Sequence, residues 1–261
     1  MALSANMNVM LRAAEKAAKS LLRDFGEVEQ LQVSRKGPGD FVSAADTRSE
    51  EILFEELSKT RPDYAFLMEE SGVRGNKDAE SRWIIDPLDG TMNFLHGIPH
   101  WNISIALETR GEVVAGLVFD PVQNELFRAE KGTGAFMRNK RLRVSGRTNI
   151  DQAIIITGGA RHDPELFMKE FTALQGVAAG MRRFGAAALD LAYIAAGRAE
   201  VFWEHGVKPW DVAAGCLIVK EAGGVATDIY TAEHPIKTNA VLATNGALYD
   251  PVKKLLVAAR N

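Results

Sequence analysis

The sequence predicts a mixed α/β fold in packed layers, with two halves that divide near residues 140 to 150. Three observations predict it. Residues 7 to 25 carry apolar side chains at helical spacing. Residues 103 to 129 read as three successive strands joined by short turns. Beyond about residue 150, strand-like and helix-like stretches alternate, the pattern of sheets covered by helices.

In the first helix Met10, Ala14, Ala17, Leu21 and Phe25 form one buried stripe, and Gly26 is its stop. Lys36-Gly37-Pro38-Gly39-Asp40 is a turn-rich link. Asp46 to Lys59 predicts a second helix with Ile52, Leu53 and Leu57 inward, ended by Arg61-Pro62-Asp63. Tyr64 to Met68 then reads as a strand running into Glu69-Glu70-Ser71. Ile103 to Leu107, Val113 to Phe119 and Glu125 to Ala129 form a meander of hairpins, turned by residues 109–111 and 120–124. The second half reads as a strand at Ile154 to Thr157, a helix at Pro164 to Leu174, a helix at Ala186 to Ala196 and a strand at Val201 to Trp203. A helix from Asp211 to Ala222, a strand from Val241 to Thr244 and a helix from Leu248 to Ala259 complete it.

A formal net charge of -3 gives no global attraction to nucleic acid or an anionic membrane, and neither partner is expected. Cys216 is the single cysteine, which excludes an intrachain disulfide and predicts a reducing, cytoplasmic setting. The N-terminal apolar residues are interrupted by Arg12, Glu15, Lys16 and Lys19, so neither a signal peptide nor a membrane span is expected.

The chemistry concentrates in Trp83-Ile84-Ile85-Asp86-Pro87-Leu88-Asp89-Gly90-Thr91-Met92-Asn93-Phe94. A short apolar strand meets Pro87, which favours an exit from a sheet ladder. Asp89 is placed as the N-cap of a short helical turn, whose Gly90, Thr91 and Met92 amides would face an anion. Glu69, Asp86, Asp89 and Asp211 are the candidate metal ligands, each at a strand end or helix start. Any one of them taken alone reads first as an ordinary turn or cap residue. Two carboxylates about 4 Å apart, however, repel by roughly 4 kcal/mol at an effective dielectric of 20, so a cluster needs cations or a shifted proton. Carboxylates beside phosphate-binding amides point to metal-assisted phosphoryl chemistry.

Other candidates read as structural. Cys216 precedes Leu217-Ile218-Val219 and reads as a small buried helix residue, and no G-x-S-x-G elbow occurs. His96 and His100 are separated by Gly97 and Pro99, which makes them loop histidines rather than a helical metal pair. Gly132-Thr133-Gly134 reads as a hairpin turn, and Phe202 and Trp203 as core. Arg182-Arg183 fits a phosphate contact or a charged strand edge equally well.

The motifs Met68-Glu69-Glu70-Ser71, Trp83 through Phe94, and Lys208-Pro209-Trp210-Asp211-Val212-Ala213-Ala214-Gly215 with Glu221-Ala222-Gly223-Gly224 resemble the inositol monophosphatase family of Mg²⁺-dependent, lithium-sensitive phosphatases. The resemblance spans nearly the whole chain. Arg183 through Asp190 look most like the bacterial inositol-1-monophosphatase branch.

That resemblance implies an αβαβα layered sandwich of the inositol monophosphatase and fructose-1,6-bisphosphatase type. It would be one domain over residues 1–261, with subregions 1–145 and 146–261. It implies two to three Mg²⁺ ions. Glu69, Asp86 and the Leu88 carbonyl would hold the first, Asp86, Asp89 and Asp211 the second, and a weakly held third would lean on Glu69 through water. Thr91 and Asp46 would orient the attacking water. The Gly90 and Thr91 amides would bind phosphate, and Glu204 and the backbone at Ala187 would contact substrate hydroxyls. Ala186 departs from the Ser or Thr common in the family and removes a possible hydroxyl contact. The implied protein is a homodimer acting on a small-molecule phosphate monoester, inositol 1-phosphate first. Fructose-1,6-bisphosphatase or another activity of the superfamily is the first alternative, and a partner-binding regulatory protein the second.

Overall fold

The computed structural model describes residues 3–27, 33–37, 40–76, 78–159, 163–231 and 233–260. Ser4 accepts the Met7 amide at 3.0 Å and so starts α1 (Ala5–Phe25) two residues ahead of the predicted point. β1 (Val33–Gly37) pairs antiparallel with β2 (Asp40–Ser43), so Lys36, Gly37 and Asp40 of the expected turn-rich link lie in strands. Its Pro38 and Gly39 lie outside the described residues. α2 (Ala44–Thr60) also begins two residues early, because Ser43 and Asp46 close a capping box.

The first sheet is built from β3 (Ala65–Met68), β4 (Gly72–Arg74) and β5 (Ser81–Asp89). After the short α3 (Thr91–Leu95) it continues through β6 (Asn102–Thr109), β7 (Glu112–Asp120), β8 (Glu125–Glu130), β9 (Gly134–Met137) and β10 (Lys140–Arg141). Its eight strands lie in the order β10-β9-β8-β7-β6-β5-β3-β4. The expected meander forms its centre, and β3 runs parallel to β5.

The second half supplies β11 (Ile154–Thr157), α4 (Pro164–Gln175), β12 (Gly180–Arg182), α5 (Ala187–Ala195) and β13 (Val201–His205). It ends with α6 (Pro209–Glu221), β14 (Val225–Thr227), α7 (Pro235–Thr238), β15 (Ala240–Thr244) and α8 (Tyr249–Arg260). The five strands lie in the order β12-β11-β13-β15-β14.

Strand alternation sorts these elements into layers. On β5, Trp83 and Ile85 pack with Met10, Leu21, Leu53 and Leu57 of α1 and α2, whereas Ile84 faces the opposite way into Leu189, Ala214 and Ile218 of α5 and α6. On β13, Phe202 reaches that same middle layer, while Val201 and Trp203 pack with Phe167, Leu174, Val252 and Leu256 of α4 and α8. The layers are therefore helices, eight-stranded sheet, helices, five-stranded sheet, helices. This is the αβαβα arrangement. The middle layer is tight: a Cβ on Gly116 of β7 would stand 2.9 Å from the Ala214 carbonyl oxygen of α6.

Two boundaries differ from expectation in ways that shape the site. Pro87 does not end its strand; β5 runs on to Asp89. The pairing with β6 jumps from Asp86↔Ser104 to Asp89↔Asn102, so an extra residue is accommodated in a bulge where a proline needs no ladder bond. α6 begins at Pro209 rather than Asp211, and Asp211 accepts the Lys208 amide at 2.7 Å across the first turn.

Candidate active site

The β5 bulge delivers its residues to a cleft of about 690 Å³ lined by Glu69, Asp86, Leu88, Asp89, Gly90, Thr91, Arg183, Ala187, Glu204 and Asp211, among others. Nine of the ten site residues expected from the sequence thus border one cavity. The tenth, Asp46, lies fully buried behind Thr91, whose hydroxyl is 3.0 Å from Asp46 Oδ1 and 3.1 Å from the Leu88 carbonyl oxygen. The other Asp46 oxygen accepts the Ser43 amide at 2.8 Å and the Ser43 hydroxyl at 2.6 Å. Burial pushes the Asp46 carboxyl upward against those bonds.

Asp86 is buried at the centre of the acidic group. Its Oδ1 accepts the Leu88 amide at 3.0 Å. Burial, then the charges of Glu69, Asp89 and Asp211, hold its carboxyl well above the usual range, and a side-chain hydrogen bond with Glu69 acts the same way. Asp211 is pushed up to about 8, by burial first and also by Asp89 and Glu204, against the Lys208 amide. Among the described residues no three histidine, cysteine, aspartate or glutamate side chains already stand in metal-holding geometry. The donor set is nevertheless oxygen only, and the strongest influences on Asp86 all favour its neutral form. Hard divalent cations suit such a set, because they offset the mutual repulsion that otherwise keeps protons on it.

Asp89 does not cap α3. Gly90 holds the N-cap position of that helix, at φ 92° and with no side-chain cap. A Cβ at Gly90 would lie 3.0 Å from the His100 carbonyl oxygen, so both the left-handed backbone and the close approach require glycine. Asp89 instead points across the cleft to α5, accepting the Ala188 amide at 2.8 Å and Asn102 Nδ2 at 2.7 Å. The Ala187 amide also donates to it. Ala186 at the N-cap of α5 supplies no side-chain bond, and Asp89 takes that part from another strand. Burial still raises the Asp89 carboxyl overall.

Glu204 enters from β13. The Gly159 amide lies 3.3 Å from its Oε1, and a Cβ on Gly158 would fall 1.8 Å from the same oxygen. The glycine pair therefore makes room for the carboxylate. The two arginines left open by the sequence part company here: Arg182 lies on the outermost strand of its sheet, while Arg183 lines the cleft, its guanidinium 5.6 Å from the Phe167 ring. Cys216 is buried as expected, its thiol pushed up to about 12 by burial. His96 and His100 lie outside helices, and His100 Nε2 approaches Asp190 at 3.3 Å.

Sequence reasoning missed Asn102, Ser43 and Ser49, the last donating to the Pro87 carbonyl at 2.8 Å inside the bulge. Only Ser43 carried a signal, the serine three residues before an aspartate that opens a capping box. Asn102 had none, since its partner is fixed by β5–β6 register.

A family model described as the inositol monophosphatase family matches residues 3–260. The inositol-1-monophosphatase of Mesorhizobium japonicum is 51% identical over 266 residues, covering 99% of this chain and 100% of that protein. A protein of Pseudomonas aeruginosa named Nus factor SuhB is 40% identical over 246 residues, covering 92% of this chain and 91% of its own. The crystal structure of the extragenic suppressor protein suhB from Bartonella henselae superimposes with a TM-score of 0.94 at 49% identity, covering 97% of this chain and 98% of that one.

Proposed function

The chain belongs to the inositol monophosphatase family, whose chemistry is metal-dependent hydrolysis of phosphate monoesters, and from that premise we propose that it converts inositol 1-phosphate to inositol and phosphate. The observation that carries the reading is the acidic array of buried Asp86 and Asp89 with half-buried Asp211, in one cleft with the first amides of α3. Glu69, Asp86 and the Leu88 carbonyl would hold one Mg²⁺, and Asp86, Asp89 and Asp211 a second, with a third near Glu69. Bound there, the ions would supply positive charge to the phosphoryl oxygens and the leaving alkoxide, and acidify a water.

The remaining residues bind, orient and move protons. With its O–H directed at Asp46, Thr91 turns its lone pairs to the attacking water and fixes its line of approach. The high proton affinity of buried Asp46 suits it to share the Thr91 proton as that water is deprotonated. The Gly90 and Thr91 amides belong to the start of α3, where no intrahelical partner exists, and would receive phosphate oxygens. Glu204 and the backbone at Ala187 would hold sugar-alcohol hydroxyls, which makes a second phosphate at that end a repelled group. That supports a polyol monophosphate over fructose 1,6-bisphosphate.

No helix among the described residues is long and apolar enough to cross a membrane. The reading includes a cytoplasmic setting, consistent with one buried thiol, and a homodimer as the family resemblance implies. Kinship with a protein named Nus factor SuhB supports a second, partner-binding role on the same fold. Phosphate release from a panel of monoesters, with Mg²⁺, with chelator and with added Li⁺, tests the principal reading. Release from inositol 1-phosphate that chelator abolishes is expected. No release from any ester at saturating Mg²⁺ would overturn it in favour of the binding role.

A further inference from the structure

Strand β13 alternates between two environments. Trp203 packs into the outer helical layer, Glu204 borders the cleft, and His205 returns toward the outer layer at the strand end. Facing the two flanking residues is Glu170 of α4, which has no solvent exposure. Its carboxylate accepts Trp203 Nε1 at 3.0 Å and the Tyr230 hydroxyl at 2.6 Å, and meets His205 Nε2 at 2.9 Å. One buried anion therefore grips β13 on both sides of Glu204. From the neighbouring strand, Thr157 donates to the Trp203 carbonyl at 2.8 Å.

A buried charge is a poor way to fill a core, because a well-packed apolar residue of similar volume is generally as stable or more so. What a fully hydrogen-bonded anion supplies is a fixed geometry. Here the geometry fixed is that of β13, whose Glu204 borders the cleft. We propose that Glu170 is a positioning residue: it holds Glu204 in register for a hydroxyl of the substrate, and so governs selectivity for polyol phosphates rather than phosphoryl transfer itself. This rests on the reading of Glu204 as a hydroxyl partner given above.

The test compares kcat and KM of the Mg²⁺-loaded full chain on inositol 1-phosphate and on p-nitrophenyl phosphate, which has no sugar-alcohol hydroxyls. Glu170→Gln should lower kcat/KM for inositol 1-phosphate roughly 10- to 100-fold while moving p-nitrophenyl phosphate by no more than about twofold. In a Glu204→Gln background the same change should add little, because both act through one contact. Tyr230→Phe should shift the ratio of the two substrates in the same direction by less, and it decides the matter if Glu170→Gln fails to fold. Equal losses on both esters, an unchanged ratio, or full additivity with Glu204→Gln would overturn the role of Glu170. A wild-type chain inactive on both esters, or a Glu204→Gln variant that spares inositol 1-phosphate, would overturn the underlying reading and the proposal with it.

Discussion

Raising the pH on metal-stripped protein should destabilise it, and Mg²⁺ should reverse the loss. Asp86, Asp89 and Asp211 all hold protons to higher pH than ordinary carboxylates, with burial the first cause in each. Between the ordinary carboxylate range near pH 4 and the native values, the folded chain keeps protons that the unfolded chain has released. The folded state then binds more protons, so stability falls as pH rises through that window. Half-buried histidines act in the opposite sense at lower pH: partial burial depresses His100, and lowers His234 to about 4, so stability rises as pH climbs to the unfolded histidine value. That contribution is complete above about pH 6.5, which leaves the interval up to about pH 8 to the carboxylates. For Asp211, pushed up to about 8, each unit of pH in that interval corresponds to about 1.4 kcal/mol. Its carboxylate retains some solvent contact, so the discounted loss is on the order of 1 kcal/mol, or about 2–4 °C in Tm for a chain of this size. Asp86 and Asp89 add to it in the same direction. Thermal unfolding at several pH values, with chelator and with Mg²⁺, measures this directly. The Mg²⁺ gain should be larger at the alkaline end, where the ions relieve repulsion rather than displace protons. A metal-free Tm that holds level or rises between those pH values, or an equal Mg²⁺ gain throughout, would refute the picture of a repelled acidic array.

Three further outcomes follow from individual contacts. Asp89→Asn removes a charge from the array but keeps an oxygen for the Ala188 amide; turnover should fall by roughly 100-fold or more and demand higher Mg²⁺, without loss of Tm in the metal-free protein. Wild-type turnover at low Mg²⁺ would exclude Asp89 as a ligand. Thr91→Ala should cost roughly 100-fold in kcat with little change in KM, whereas Thr91→Ser, which restores the hydroxyl beside Asp46, should recover most of it. Gly116→Ala forces a Cβ against the α6 backbone at 2.9 Å and should destabilise by about 1–3 kcal/mol in urea unfolding, with a wild-type midpoint as the contrary result.

What could be read from the sequence was local, and what could not was pairing over distance. The stripe of α1 and the strand-to-turn run through Asp86 and Asp89 announce themselves because a few adjacent residues determine them. β4, β12 and β14 do not, since three residues are too few to show alternation and each forms only because a neighbour offers a ladder. The adjacent arginines separate for a similar reason. A one-residue step past the end of β12 carries Arg183 from the sheet edge to the cleft, and nothing in the pair of letters distinguishes them.

Asp89 shows the limit most clearly. Its residue type and setting mark it as a helix cap, and it is one, but for α5, whose Ala188 amide lies 99 residues further along the chain. The helix that follows it directly is begun by a left-handed glycine instead. The same exchange involves Ala186, the N-cap of α5, which makes no side-chain cap bond. A serine or threonine there could cap α5 itself; alanine cannot, and the amides of Ala187 and Ala188 donate to Asp89. A carboxylate held by two helix amides and Asn102 stays anionic more readily than burial alone would allow. An alanine at that cap thus leaves the end of α5 supporting the charge on a proposed metal ligand, and residue 186 bears on the acidic array as directly as on the choice of substrate.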